Sequence, residues 1–320
     1  MKIFSGIRPT GEFHIGNYLG AMKQWAKVQD EGHDGIYCIV DYHAITTPYA
    51  TKDMPKMIID GAKDVLAMGI EPQKSTLFLQ SDIKEHTELA WILNTITSMG
   101  ELSRMTQYKE KSEKHSPLAG IFEYPVLMTA DVLLYKAEGV PVGEDQKQHV
   151  ELARDLARRF NQKFGETFPE PKAIFTEAKR VLSLSGESKM SKSDPRHTYI
   201  ALTDDPDTIR QKIMGATTDD GKSSEISPGT MNLINLYGEF AGKAEAEKYL
   251  EKRRAGTIKY SEFKPALAEA IIKELEPFQK RRAEISDEEV KKILKSGAAK
   301  LQPLAQKTIQ EVKTKMGLVI

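Results

Sequence analysis

Gly35–Val40, GIYCIV, restricts the fold more than any other stretch, because it is a near-continuous apolar run of β-branched and aromatic residues with no polar alternation. A run of that kind has no face to offer water. It reads as a strand buried on both sides, the habit of parallel sheets covered by helices. Ser75–Gln80 (STLFLQ) repeats the signal, and Lys2–Ile7 and Val140–Val142 are shorter versions of it. Helical spacings fall between these strands. Asn17–Gln29 carries Leu19, Met22, Trp25, Ala26 and Val28, and Lys52–Met68 is closed by Gly69. Lys84–Thr97, Tyr124–Lys136 and Glu144–Phe164 follow. Strand–helix–strand repetition at this spacing predicts an α/β fold, a parallel sheet with helices on both faces.

After Asp205 the strand signals stop. Pro206–Gly215, Met231–Phe240, Lys243–Arg254, Phe263–Ile285 and Asp287–Met316 carry helical periodicity, so an all-α C-terminal domain is expected. Asp205 before Pro206 reads as an N-cap with proline at the first helical position. Ser286 and Glu289 have capping-box spacing. Thr217–Gly229 is polar and glycine-bearing and reads as a mobile loop.

The bulk numbers narrow the functional classes. Basic and acidic residues balance at 46 each, so no polyanion partner is visible in the total charge. A nucleic acid would have to use local clusters: Lys252-Arg253-Arg254, Lys280-Arg281-Arg282 or Arg104–Lys114. Each reads equally well as a solvated helix face. Cys38 is the single cysteine, which rules out an internal disulfide and a multi-cysteine zinc or iron–sulfur site. Its apolar setting suits a buried thiol in a reducing compartment. No apolar run has the length to cross a bilayer, and MKIFSGIRPTGEFHIG lacks the apolar core of an export signal. A cytoplasmic protein with no membrane partner is expected.

Two segments carry phosphate chemistry. Pro9-Thr-Gly-Glu-Phe-His-Ile-Gly-Asn17 follows the first strand and opens the first helix, where backbone N–H groups and the helix dipole favour anions. Gly11 and Gly16 admit a ligand close to the backbone, and His14 and Asn17 are hydrogen-bond donors. The plain alternative is a glycine turn with a histidine cap. Lys189-Met190-Ser191-Lys192-Ser193, flanked by Gly186 and Pro195, is too polar and irregular for a core element and reads as a surface loop. Its two ammonium groups suit a transferring phosphate whose charge shifts in the transition state. An ordinary basic loop is the other reading.

A third group offers an apolar slot with one acceptor. Asp41–Thr46 (DYHAIT) ends the second strand, where open α/β sheets place ligands. Tyr124, Met128 and Asp131 are spaced to share a helix face. Asp131 could accept a hydrogen bond from the one polar group of a flat ligand, with Tyr124 and Met128 as lining. Core packing for Tyr124 and Met128, and a capping or solvated acid for Asp131, stand as alternatives.

These strings have a family likeness. HIG at a helix start, with a full KMSKS beyond the last α/β element, resembles the class I aminoacyl-tRNA synthetases. Asn17 stands in place of the second histidine of that class's HIGH sequence, a form known in the tryptophan branch. SGIRPTG, HIGNY, DYHAIT, ELSRMTQYKEKS, GEDQKQH and KMSKSDP are similar, in order and over essentially the whole chain, to the bacterial-type tryptophanyl-tRNA synthetases. The resemblance implies a Rossmann-type catalytic domain over 1–196 with a dimer-interface insertion near 80–135. It implies a helical anticodon-binding domain over 197–296 and a C-terminal helix, 297–320, folding back on the catalytic domain. The activity implied is a tryptophan–tRNA ligase using ATP with Mg²⁺, with tyrosyl-tRNA synthetase as the alternative. Its partners would be tRNA(Trp), L-tryptophan and ATP, with no DNA, no permanently bound cofactor, no iron–sulfur cluster and no protein-held metal. The family is homodimeric.

Residue by residue, the likeness gives His14, Asn17, Lys189, Lys192 and Ser193 catalytic roles. Arg8, Pro9, Thr10, Gly16, Asn17, Gly143, Glu144, Asp145, Val181 and Lys189 to Ser193 (with Met190 and Ser191) would meet ATP. Arg8 stands where glutamine is common. Asp131, Phe4, Val40, His43, Tyr124, Met128 and Gln146 would meet tryptophan.

Overall fold

The structure, a computed structural model, describes residues 1–9, 11–106, 108, 118–143, 146–175, 181–192 and 194–319. The chain divides into two compact units. One is Met1–Thr10, Gln24–Thr176 and Ser286–Ile320; the other is Gly11–Lys23 and Glu177–Ile285.

The first unit is built on five parallel strands: β1 (Lys2–Ile7), β2 (Asp34–Ile39), β3 (Thr76–Leu79), β4 (Gly139–Val142) and β5 (Lys172–Phe175). Their order is β3-β2-β1-β4-β5. From Gly35 to Ile39 β2 is buried at every residue, as its lack of alternation requires. Register pairs Phe4 with Ile36 and Cys38 with Phe78, so these side chains share the core. Cys38 is a free, buried thiol. The order reverses between β1 and β4, which makes the carboxyl ends of these strands a topological switch point, the position where open α/β sheets bind ligands.

Helices cover the sheet. Ala119–Leu134 is apolar almost all round and buries ten of its residues. Lys147–Phe164 is amphipathic and turns Val150, Leu152, Ala153, Leu156, Ala157 and Phe160 inward. The last helix, Asp287–Lys315, starts at Ser286, whose Oγ accepts the Glu289 N–H at 3.1 Å. It lies so close to β3 that a methyl group on Gly297 would stand 2.0 Å from the Leu77 carbonyl oxygen. Lys63–Asp287, Gln302–Glu85 and Lys136–Glu311, at 2.6, 2.7 and 2.7 Å, fasten it along its length.

The second unit is helical: Pro206–Gly215, Pro228–Ala241, Lys243–Arg254 and Tyr260–Glu284. Asp205 caps the first of these by accepting the Thr208 N–H at 2.9 Å, with Pro206 in the first turn. Phe263, Leu267 and Ile271 form the buried stripe of the last. Fully burying side chains of this size contributes about 1.5–3 kcal/mol each.

The segment read from its composition as a loop, 217–229, is irregular as far as Ser227, and Asp219 within it accepts the N–H groups of Gly221 and Ser227, both at 2.9 Å. One expectation is corrected in this unit. Arg253, read with its neighbours as a basic cluster, is 1% exposed, and its guanidinium is spent on Asp219 and on the carbonyls of Ser223 and Glu225. Among the described residues no helix is long and apolar enough to cross a membrane.

Candidate active site

The two signature segments meet within the helical unit. Phe13 and Ile15 pair through their backbone with Leu202 and Ile200, at 2.8 and 3.0 Å, which holds the start of the short helix Ile15–Asn17. His14 and Asn17 cap each other. His14 Nδ1 accepts the Asn17 backbone N–H at 3.3 Å, and Asn17 Oδ1 accepts the His14 N–H at 3.1 Å. With Nδ1 used as an acceptor, the proton of the neutral ring sits on Nε2, and the Asn17 amide keeps its NH₂ for donation.

Val181 to Met190 form a hairpin that leads into the basic loop. Ser183 N–H donates to Ser188 O at 2.8 Å and Met190 N–H to Val181 O at 3.0 Å. Gly186 turns the hairpin at φ 81°, and a methyl group there would lie 2.5 Å from Gly229 Cα. Asn232 clamps Leu182 from both sides, accepting its N–H and donating to its carbonyl at 3.1 Å each. The loop that follows is therefore anchored at its base. Lys189 is exposed, Met190 is buried at 3% exposure, and Ser191 and Lys192 are half-buried.

Met190 faces Gly16: a methyl group on the glycine would reach Met190 Cβ at 3.7 Å. Lys192 Nζ lies 5.9 Å from the centre of the Phe13 ring. Burial, then the charges of Lys192 and Lys189, push the His14 imidazole down to about 4. His14 is therefore neutral at physiological pH, a donor beside two cations. A cluster of that kind suits an anion with several charged oxygens.

In the sheet unit, His43, just past the carboxyl end of β2, joins Tyr124 and Asp131 of the helix Ala119–Leu134. Phe4 and Val40 are buried, at 3% and 5% exposure. His43 sits in the short helix Asp41–Ala44 just past β2 and meets Tyr124 edge-on. Tyr124 is buried and its hydroxyl lies 3.0 Å from His149 Nε2. Met128 is half-buried, and Gly143 and Gln146 lie half-buried beyond β4. Pro9 is buried beyond β1, and Arg8 donates to Thr47 Oγ1 at 2.9 Å. Its Nε has no hydrogen-bond partner among the described residues, and burial lowers the guanidinium pKa.

Asp131 is the polar centre of this group, at 1% exposure. Its Oδ1 takes Gln80 Nε2 at 2.7 Å and His86 Nδ1 at 2.6 Å, and its Oδ2 takes His43 Nε2 at 2.8 Å. Burial alone would raise its pKa, but the hydrogen bonds from His43 and His86 outweigh that and hold the carboxyl below the usual range. Asp131 is thus a buried, ionised acceptor. Gln80, His86 and Tyr135 escaped the sequence reading. Gln80 directly follows β3, so the strand-end rule would have found it. His86 lies in SDIKEHTE and Tyr135 in an apolar run, where nothing in the spacing marks them.

Thr10, Glu144, Asp145 and Ser193 lie outside the described residues, as does most of Arg104–Lys114. No group of three or more His, Cys, Asp or Glu side chains among the described residues could hold a metal ion.

A parallel sheet that reverses its order at the middle, a HIG helix start and a KMSK segment together define a class of enzymes that activate a substrate with a nucleotide. The family model described as tRNA synthetases class I (W and Y) matches residues 1–276, and the chain belongs to that family. Its similar relatives carry the name tryptophan–tRNA ligase. One, from Caldanaerobacter subterraneus subsp. tengcongensis, is 48% identical, covering 100% of this chain and 99% of its own. Another, from Helicobacter pylori, is 45% identical over 99% of both. The tryptophanyl-tRNA synthetase of Campylobacter jejuni, solved with ADP and tryptophan, matches with a TM-score of 0.86 at 35% identity, over 99% of this chain and 100% of that one. The tyrosyl-tRNA synthetase of Archaeoglobus fulgidus, at 19% identity and a TM-score of 0.68 over 88% of this chain and 89% of its own, shares the fold.

Proposed function

We propose that the chain activates L-tryptophan with ATP and joins it to the 3′ end of tRNA(Trp). The observation that carries this reading is the meeting of His14 and Gly16 with the Lys189–Lys192 segment, a neutral donor and two cations around one short backbone turn. Identities of 48% and 45% to tryptophan–tRNA ligases over nearly the whole chain support the choice of amino acid, and so does Asp131, a buried acceptor among the expected slot residues.

The chemistry needs no protein nucleophile. A tryptophan carboxylate oxygen attacks the α-phosphorus of ATP. The bond from that phosphorus to the α,β-bridging oxygen breaks, and pyrophosphate leaves. The terminal ribose hydroxyl of tRNA then attacks the carbonyl carbon of the adenylate, and AMP departs. The contribution of the protein is alignment and charge stabilisation. His14 donates from Nε2, Asn17 from its amide, and Lys189 and Lys192 follow the charge that builds on the leaving pyrophosphate. Ser193 and Thr10 belong to the same two segments by sequence. Mg²⁺ enters on the triphosphate oxygens as part of the nucleotide substrate.

Gly143, Glu144 and Asp145 are proposed for the ribose and Val181 for the adenine. Arg8 and Pro9 are proposed for the loop beside the nucleotide, and Gln146 for the amino acid. Phe4, Val40, His43 and Tyr124 wall the side chain, with Met128 as the adjustable member. The helical unit is proposed to read the anticodon, through Lys280, Arg281 and Arg282 and the exposed Lys252 and Arg254. A homodimer working in the cytoplasm completes the reading. ATP–pyrophosphate exchange with each amino acid in turn tests it. Exchange that depends on tryptophan is expected; exchange that depends on tyrosine alone would overturn it.

A further inference from the structure

A carboxylate offers about four places for hydrogen-bond donors. On Asp131 three are taken: Gln80 and His86 fill Oδ1, and His43 takes one of two on Oδ2. Among the described residues nothing fills the last place, on Oδ2.

The two donors on Oδ1 are themselves fixed from behind. Gln80 Oε1 accepts the Tyr42 backbone N–H at 3.1 Å, so the amide cannot turn its oxygen toward Asp131. His86 Nε2 lies 2.7 Å from the Tyr135 hydroxyl. Tyr135 is 0% exposed, and the His86 ring nitrogen is the acceptor its hydroxyl meets among the described residues. With Tyr135 donating to Nε2, the proton of His86 is left on Nδ1, facing Asp131. The rings are locked as well. Phe78 stacks on His86 at 5.7 Å and Phe4 on Tyr135 at 5.9 Å between centroids.

We infer that His86, set by Tyr135, is a positioning residue that holds Asp131 as a pure acceptor with its one remaining place on Oδ2, so that the pocket selects a ring N–H. The inference rests on the reading of tryptophan as substrate. A ring presenting an acceptor or a sulfur at that place leaves the carboxylate one bond short, and a buried unpaired charge is costly. Were the network only a scaffold for the core, its loss would harm every substrate alike.

The test is ATP–pyrophosphate exchange by the full chain with tryptophan and with 3-(3-benzothienyl)alanine, in which sulfur replaces the ring N–H. The ratio of the two kcat/KM values is the readout. His86→Leu is expected to lower kcat/KM for tryptophan about 10–100-fold, mostly through KM, as loss of a hydrogen bond to a charged group implies. The analogue makes no such bond, so its value stays put and the ratio collapses. His86→Asn, whose amide lies near the place of Nδ1, restores most of the ratio. Tyr135→Phe lowers it about 3–10-fold, the scale of one neutral hydrogen bond. A fall of both substrates in step, or no change in either, overturns the role of His86. If His86→Leu gives no cooperative melting transition, Tyr135→Phe alone decides between the same two outcomes. A wild-type chain without tryptophan-dependent exchange overturns the substrate reading instead, and shows this before any variant is made.

Discussion

Arg253 and Asp219 form a buried ion pair, Nε to Oδ1 at 2.8 Å, which fastens the segment before Pro228 to the end of the helix Lys243–Arg254. The same arginine donates to the carbonyls of Ser223 and Glu225, and Tyr260 donates its hydroxyl to Asp219. Removing one partner of a buried pair leaves the other charge uncompensated, at a cost of about 3–5 kcal/mol. Arg253→Leu is therefore expected to lower the unfolding free energy measured in urea by that scale, with a lower midpoint, and Lys at this position to recover little, since it lacks the planar fork. Lys252→Ala and Arg254→Ala, on exposed neighbours, should stay within about 0.5 kcal/mol of wild type. Equal midpoints for Arg253→Leu and Lys252→Ala would refute the clamp.

Lys192→Ala is expected to slow adenylate formation about 10²–10³-fold, the usual loss for one charged transition-state contact. Tryptophan binding should survive, because the charge acts on the leaving pyrophosphate. Rapid-quench measurement of the first turnover, with tryptophan affinity measured separately, divides the two effects.

The imidazole of His14, pushed down to about 4, gives a stability prediction with a definite sign. As pH falls below the ordinary value of 6.5, the unfolded chain takes up a proton that the folded chain refuses until about 4. Stability attributable to this group is full above pH 6.5, declines between 6.5 and 4, and is flat below. The decline is roughly 3 kcal/mol at most. His14→Asn should flatten the fall of the denaturation midpoint over that window. Parallel pH profiles for the two proteins would contradict the assignment.

Asp131→Asn keeps the shape of the side chain and removes the charge that three donors face. One of its two ends must then present N–H groups to a donor. A rise of about 10–100-fold in the KM for tryptophan is expected, together with a lower melting temperature. A variant with wild-type KM would remove Asp131 from the substrate pocket.

The sheet was the more legible half of the fold. GIYCIV and STLFLQ are buried on both faces and so carry their own signal, and the structure sets strands at Asp34–Ile39 and Thr76–Leu79. Lys172–Phe175 went unread because β5 is an edge strand, exposed at both ends and half-buried between, with no apolar run to mark it. In Asn17–Gln29 the apolar spacing predicted one plain helix, yet Tyr18–Met22 is wound as a π-helix before Lys23–Asp30 begins. Spacing alone does not separate the two windings over a single turn. The site divides in the same way. His14, Asn17 and the lysines stand in short contiguous strings, whereas Asp131 is held by Gln80 and His86 from distant parts of the chain. Burial and long-range hydrogen bonds are properties of the folded molecule. For the same reason Arg253 looked like one more cation in a run of three.

Gly297 draws the last helix onto the Leu77 carbonyl, and with it comes a consequence for how the molecule is made. The sheet-bearing unit closes only with residues from Ser286 onward, after the whole of Glu177–Ile285 has been translated. A ribosome partway through the message thus carries a nascent chain whose β3 still lacks its cover, with apolar surface open to chaperones or to neighbouring nascent chains. Synonymous codons that slow decoding of Ser286–Ile320 would lengthen that exposure, and truncation before Ser286 would leave it permanent.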